Sequence, residues 1–227
     1  MFNNKSKKLF LASSLLAAAG AANAGYEIQL SDEDKVTFGG FIKVDARYVD
    51  GEVAYRKFWA GSKLAQGNGV DGAFDGTSKS QLGMFINESR FNMKYTHGEV
   101  MGFIELDFYG GGGTETISNS ANPRIRHAFI KYKDVVAGQT WSTFMNLTAL
   151  PEAADFAGPA MGVVFIRQAQ VRYTMGDFQV ALENPYTFDS DPEHGMKGSI
   201  DDVPDVVAKY NIKGDWGNVS VGGSFRQ

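Results

Sequence analysis

Cysteine is absent from this chain of 227 residues, and histidine occurs only three times. Without cysteine the chain forms no disulfide or thiolate metal site, and His97, His127 and His194 do not have the spacing of metal ligands. Gly110 opens a run of four glycines, but no Lys-Ser pair follows it, so it is not a phosphate-binding loop. We therefore expect no metal and no cofactor.

Long apolar segments are also missing beyond the N-terminus. No stretch there approaches the ~20 apolar residues that a membrane-spanning helix needs. In a bilayer every backbone polar group must be paired within the protein, which only helices and closed barrels achieve. If the mature protein crosses a membrane, it must therefore cross it as a β-barrel.

The first 24 residues have the organisation of a secretory signal peptide. Three lysines precede an apolar stretch over residues 9–19, and the Ala-Asn-Ala at 22–24 fits the small-x-small cleavage rule. An N-terminal membrane anchor is the alternative, but the apolar stretch is short and rich in alanine. We expect a mature chain of residues 25–227. Loss of the three leader lysines takes the formal net charge from −4 to −7, which argues against nucleic acid as a partner.

The mature sequence alternates between apolar and polar residues with a period of two, as β-strands with one apolar face do. Over residues 36–48, for example, Ile42 and Tyr48 lie on the face opposite Lys43, Asp45 and Arg47. The facing of the segments 124–132 and 135–141 does not follow cleanly from the alternation. We predict about nine strands, at residues 36–48, 90–95, 100–108, 124–132, 135–141, 168–174, 178–183, 206–212 and 219–225.

The connections between these strands alternate between short and long. Short turns on one rim and long loops on the other are the layout of an outer-membrane barrel. A soluble periplasmic β-sandwich is the alternative, but its core requires apolar residues where this sequence places dense charge. The pattern predicts an all-β, transmembrane antiparallel β-barrel of the porin type in the outer membrane of a Gram-negative bacterium.

Four segments resemble the DcaP-type (dicarboxylic-acid) porins in order and spacing: VTFGGFIKVDARYVDG, SRFNMKYTHGEVMGFIELDFYG, PRIRHAFIKYKDVVAGQTWSTF and GVVFIRQAQVRYT. The resemblance implies a 16-stranded barrel, a homotrimer and passage of small anionic solutes. Nine strands would be the N-terminal half of such a barrel. We expect that half alone not to make a working porin, because unpaired sheet edges do not persist in hydrocarbon.

General porins narrow the pore with the third long loop, which here is residues 142–162. That loop contains Glu152 and Asp155 and no basic residue, whereas basic residues are frequent on the strands. An acidic loop facing a basic wall produces a transverse field, and arginine binds carboxylates through its planar fork. We predict that the pore-lining and constriction residues are Lys43, Arg47, Arg90, Lys94, Arg124, Arg126, Arg172, Glu152 and Asp155.

Two arginines complicate this prediction. Arg126 and Arg167 lie on the apparent lipid-facing parity of their strands, where charge is costly. A β-bulge or a strand end near the loop rim would turn them towards the pore. For each arginine taken singly, a solvated wall charge without a selective role is an equally good interpretation.

The predicted function is passive diffusion of small, preferentially anionic solutes such as carboxylates. One alternative is a barrel enzyme of the lipase or protease kind, which would need a Ser beside His127, and the sequence alone cannot place one there. Another is a structural or adhesive barrel with a plugged lumen. We expect no catalytic residues, and outer-membrane lipid and small anions as the partners.

Overall fold

The computed structural model describes residues 25–50, 80–110, 121–150, 166–185, 189–191, 195–197 and 202–226. These residues form fourteen strands and one 3₁₀ turn at Leu147–Ala149. No helix in this part of the chain has the length and apolar character to cross a membrane. The strands are β1 (Tyr26–Gln29), β2 (Asp34–Phe41), β3 (Asp45–Asp50), β4 (Ser80–Phe85), β5 (Arg90–His97), β6 (Val100–Gly110), β7 (Asn122–Tyr132), β8 (Val135–Trp141), β9 (Arg167–Met175), β10 (Phe178–Glu183), β11 (Asp189–Asp191), β12 (Gly195–Lys197), β13 (Asp205–Gly214) and β14 (Gly217–Phe225).

Ten of the strands form one antiparallel sheet in the order β1-β2-β5-β6-β7-β8-β9-β10-β13-β14. β1 and β14 are its two edges and do not pair with each other. The remaining strands form two separate hairpins, β3 with β4 and β11 with β12. The order of the strands in the large sheet is the same as their order along the chain. This arrangement is a meander, from which barrels of this kind are built.

The hairpins at one rim close with two-residue turns. Gly98 and Gly176 open two of these turns with φ of +52° and +61°, and Lys133 opens another with φ of +51°. A positive φ at this position matches the twist of the flanking strands. These turns lie where the sequence predicts its short connections.

All nine predicted strands are present, and one of them is interrupted. The predicted strand 36–48 is broken after Phe41, and its second part pairs with β4 instead of β5. The break follows Gly40, whose φ of +135° departs from regular extended backbone. The prediction missed four of the fourteen strands: β1, which precedes the first predicted strand and pairs with β2, and β4, β11 and β12, which belong to the two separate hairpins.

The two faces of the large sheet differ in polarity and exposure. Large apolar side chains such as Ile130, Val171 and Tyr210 are exposed on one face, which we call the apolar face. The opposite, polar face carries the buried charged groups, including Asp107, Arg126 and Glu183. Among the described residues, five buried side chains are hydrophobic and twelve are polar or charged. A soluble sandwich would have the reverse, since its apolar faces pack together as the core.

Candidate functional site

A β-bulge in β7 determines which side chains reach the polar face. Glu105 pairs with His127 while its neighbour Leu106 pairs with Ile125, so Arg126 is the extra residue on β7. In such a bulge two residues oppose one residue of the partner strand. Arg126 consequently lies on the polar face, between the polar-face residues Arg124 and His127, and Ile125 is exposed on the apolar face.

The backbone carbonyls left by the bulge are bonded by a side chain of β8. Gln139 donates its Nε2 hydrogens to the carbonyl oxygens of Ile125 at 3.0 Å and Arg126 at 3.4 Å. An unpaired buried carbonyl is costly, so this amide stabilises the bulge. This role also explains why a polar residue, Gln139, occupies a position on the apolar face of the sheet.

Two carboxylates of β6 bind the arginines of β7. Arg126 donates from Nε to Glu105 Oε1 at 2.8 Å and from Nη1 to Asp107 Oδ2 at 3.1 Å. Arg124 binds Asp107 in a bidentate way, from Nε to Oδ1 at 3.0 Å and from Nη2 to Oδ2 at 2.6 Å. The side chains of Asp107 and Arg126 are 0% and 3% exposed, so the bond between them is buried, and the other charge-assisted bonds are partly buried.

Two further arginines border this network. Arg90 Nη1 is 3.9 Å from Glu105 Oε1, and its guanidinium lies 5.2 Å from the ring centre of Phe41. Arg167 stacks on Trp141 at 4.4 Å and interacts electrostatically with Arg90 and Arg126. We call the six charged residues the arginine cluster: Arg90, Arg124, Arg126, Arg167, Glu105 and Asp107. With four guanidiniums and two carboxylates, its formal charge is +2.

The four arginines differ in how far a solute can reach them. Arg124 is 35% exposed at its side chain and Arg90 is 25% exposed, whereas Arg126 is almost completely enclosed. Arg124 also packs against Tyr109, at 5.4 Å from the ring centre. Arg124 and Arg90 can therefore meet a dissolved anion directly, and Arg126 holds the carboxylates in place.

The segment after β8 lies against the polar face. We call its described residues, 142–150, the loop root. Ser142 donates its backbone N–H to the Ile166 carbonyl at 3.0 Å, which joins the two ends of the loop. Thr143 donates its backbone N–H to Glu183 Oε1 at 2.6 Å, and Lys209 Nζ donates to the Met145 carbonyl at 2.8 Å.

Arg172 belongs to the surroundings of the loop root and not to the arginine cluster. In the sheet it lies between Val136 of β8 and Ala181 of β10. Its electrostatic partners are Glu183 and Lys209. The predicted basic wall is thus divided into two groups.

The other predicted pore-lining residues are dispersed. Lys43 forms ion pairs with Asp45, at 3.2 Å, and with Glu88, beyond the end of the large sheet. Lys94 lies on the polar face opposite Phe103. The side chain of Arg47, together with Glu152 and Asp155, lies outside the described residues.

The pairing of Glu105 and Asp107 with arginines is not part of the sequence prediction, because it follows from the register of β6 and β7. The sequence analysis considers His127 only for the enzyme alternative. His127 Nδ1 lies 3.1 Å from Thr140 Oγ1, and its ring meets Trp141 edge-on at 5.5 Å. The described residues include no group of His, Cys, Asp or Glu arranged to hold a metal ion.

An antiparallel meander with an exposed apolar face and a charged opposite face defines a transmembrane β-barrel protein of the porin type. The sequence matches the model of the family described as DcaP outer membrane protein over residues 4–200. The chain therefore belongs to the DcaP outer membrane protein family, which confirms the resemblance predicted from its sequence. No protein of curated function matches the sequence significantly.

The fold is similar to that of a solved channel. The crystal structure of the outer membrane channel DcaP of Acinetobacter baumannii superimposes with a TM-score of 0.68 at 25% sequence identity. The match covers 88% of this chain and 55% of that channel, so the chain spans about half the length of the channel. The family is one of outer-membrane proteins and this neighbour is an outer-membrane channel, and together they place the chain in the outer membrane.

Proposed function

We propose that the protein forms a diffusion channel that prefers small anions, carboxylates among them. The observation that carries this proposal is the excess of guanidinium over carboxylate in the arginine cluster. Arg124, Arg90 and Arg167 are its partly exposed members, so part of the positive charge faces the solvent. Guanidinium groups bind carboxylates through two parallel hydrogen bonds, which favours carboxylates over spherical anions.

The size of the effect follows from Coulomb's law. A unit charge about 6 Å from a passing ion contributes about 0.7 kcal/mol in a medium with the dielectric constant of water. That is about a threefold change in the local concentration of a monovalent anion, before screening by salt. One arginine therefore shifts the preference measurably, and the shift decreases as the ionic strength rises.

We propose further that the loop that begins at Ser142 narrows the channel. The contacts of Thr143 with Glu183 and of Met145 with Lys209 support this, because both partners lie on the polar face. In this proposal the predicted transverse field arises between the basic wall and the acidic residues Glu152 and Asp155. The full-length protein would then be a porin with a constriction of defined charge.

Reversal potentials across planar bilayers test the charge preference. The full-length protein is reconstituted in a salt gradient and compared with Arg124→Gln, which lowers the formal charge of the arginine cluster from +2 to +1. The matched control is Lys213→Gln, which removes an equally basic but largely exposed side chain paired with Asp177. We expect Arg124→Gln to reduce the anion preference and the control to leave it unchanged. Equal reversal potentials for all three proteins would refute the proposal.

We also propose export through cleavage of residues 1–24 and assembly of the full-length protein as a homotrimer, as the resemblance to the DcaP-type porins implies. The exposed apolar face of the sheet supports lipid or a further subunit as its neighbour. Native mass spectrometry of the detergent-purified protein tests the assembly. A monomer in several mild detergents would refute it.

A further inference from the structure

We infer that Glu183, Gln170 and Lys209 fix the position of the loop root and thereby set the conductance of the channel independently of its charge preference. This inference rests on the proposed diffusion channel, since conductance has no meaning without one. The three residues are positioning residues, because they act on permeation only through the loop root that they hold.

The first attachment point is Thr143, which is fully enclosed. Glu183 of β10 accepts its backbone N–H at 2.6 Å. Gln170 of β9 accepts the hydrogen of its Oγ1 hydroxyl at 3.1 Å. Gln170 is itself held by donating from Nε2 to the carbonyl of Trp141 at 2.9 Å. Two adjacent strands thus fix one residue of the loop root through both its backbone and its side chain.

The second attachment point is Met145, whose side chain is also enclosed. Lys209 of β13 donates from Nζ to the Met145 carbonyl at 2.8 Å. The Met145 sulfur in turn accepts the backbone N–H of Ile166 at 3.4 Å, at the other end of the loop. The carboxylate of Glu183 therefore holds the N–H of Thr143, and the ammonium group of Lys209 holds the carbonyl of Met145, two residues further along the loop root.

These attachments control position and not merely folding of the sheet. The base of the loop stays joined through the backbone bond from Ser142 to Ile166 when they are removed. Asn218 of β14 also donates to Thr148 Oγ1. The loop root would then keep this one contact with the wall but lose its fixed distance from the wall at Thr143 and Met145. A loop root with several positions produces several current levels, whereas a fixed one produces a single level.

Single-channel recordings of the full-length protein test the inference with Glu183→Ala, which removes the acceptor of the Thr143 N–H. Its control is Asp205→Asn, because Asp205 pairs directly with Glu183 in the sheet but binds Arg226, at 2.9 Å, in place of the loop root. A trimer opens in up to three steps, so the quantity compared is the step of one pore. We expect Glu183→Ala to replace the single step size by several and to shift the mean conductance per pore upward, with Asp205→Asn unchanged. Glu183→Gln, which retains an acceptor oxygen, should restore the wild-type level.

A reversible tether makes the test specific for position. Residues 1–227 contain no cysteine. Thr148→Cys with Asn218→Cys therefore introduces one defined pair in this part of the protein, where the two side chains hydrogen-bond. In the Glu183→Ala background, we expect oxidation of the pair to restore the single level and reduction to abolish it again. If Glu183→Ala fails to fold, Lys209→Met provides the same comparison.

The outcomes separate this inference from the proposed function. A steady, unshifted conductance in folded Glu183→Ala or Lys209→Met, with the anion preference of the wild type retained, would overturn the role of the loop root and leave the channel proposal intact. Reversal potentials that do not respond to Arg124→Gln would refute the charge preference, whatever the conductance of the Glu183 variant.

Discussion

Arg126 and Arg124 bind the same carboxylate, yet we predict that their removal has different consequences. Arg126→Met leaves Glu105 and Asp107 enclosed with one partner fewer each. Removing one partner of a buried ion pair costs about 3–5 kcal/mol. Arg90 lies 3.9 Å from Glu105 and Arg124 still binds Asp107, so we expect a value near the lower end, about 3 kcal/mol.

Arg124→Met should cost less stability and change permeation more. A hydrogen bond to a charged group contributes about 1.5–3 kcal/mol, and the partial exposure of Arg124 lowers this to about 1–2 kcal/mol. Asp107 keeps its bond to Arg126 in this variant. Because Arg124 is the more exposed of the two, the anion preference should fall further in Arg124→Met than in Arg126→Met.

Unfolding in urea from lipid vesicles measures the two stabilities. Tryptophan fluorescence is a suitable signal, since the Arg126 guanidinium lies 5.9 Å from the ring centre of Trp141. Lys213→Met, which breaks an exposed ion pair, is the control and should cost about 0–1 kcal/mol. Equal losses of stability for the two arginine variants, or a larger loss of anion preference in Arg126→Met, would refute the division of roles between them.

Three further predictions address charge, backbone and export. Glu105→Gln raises the formal charge of the arginine cluster to +3, so reversal potentials should show a stronger anion preference; a weaker one would contradict the proposal. Gly138→Ala should destabilise the sheet by about 2 kcal/mol or more, because Gly138 has φ of +126° and a Cβ there would overlap a backbone carbonyl of β7. Gly102→Ala, where no atom lies within 4 Å of the added Cβ, should be nearly neutral in the same urea titration. Mass spectrometry of the mature protein should find Gly25 at its N-terminus, and retention of the leader on membrane-bound protein would show that the predicted cleavage is wrong.

The strands and their two faces could be predicted because a lipid-exposed face and a charged face impose a period of two on the sequence. That rule fails at Arg126. One extra residue in β7 exchanges the faces to which odd- and even-numbered residues of the strand point on the N-terminal side of the bulge. A bulge leaves no residue type that identifies it in a single sequence. The sequence could therefore name a bulge as one of two ways to turn Arg126 inward, and the register between β6 and β7 was needed to locate it.

The interaction partners of the charged residues were harder to predict than the face of the sheet on which each residue lies. Glu105 and Asp107 are more than fifteen residues from the arginines that bind them, and Glu183 is forty residues from Thr143. Such contacts depend on the register between adjacent strands and on where a loop contacts the polar face of the sheet. Grouping Arg172 with Arg124 and Arg126 followed from their shared charge, and the sheet places it beside Glu183 instead.

The arrangement of the arginine cluster meets two requirements that oppose each other. A permeating anion needs uncompensated positive charge, but an enclosed guanidinium is stable only when carboxylates and hydrogen bonds surround it. Here Arg126, at the centre, is neutralised by Glu105 and Asp107, and the partly exposed Arg124 shares one of those carboxylates. Among the described residues, two carboxylates shared among four arginines stabilise the buried position and leave the arginine cluster a formal excess of positive charge. Adding a carboxylate would improve the pairing and weaken the proposed anion preference, and adding an arginine would do the reverse.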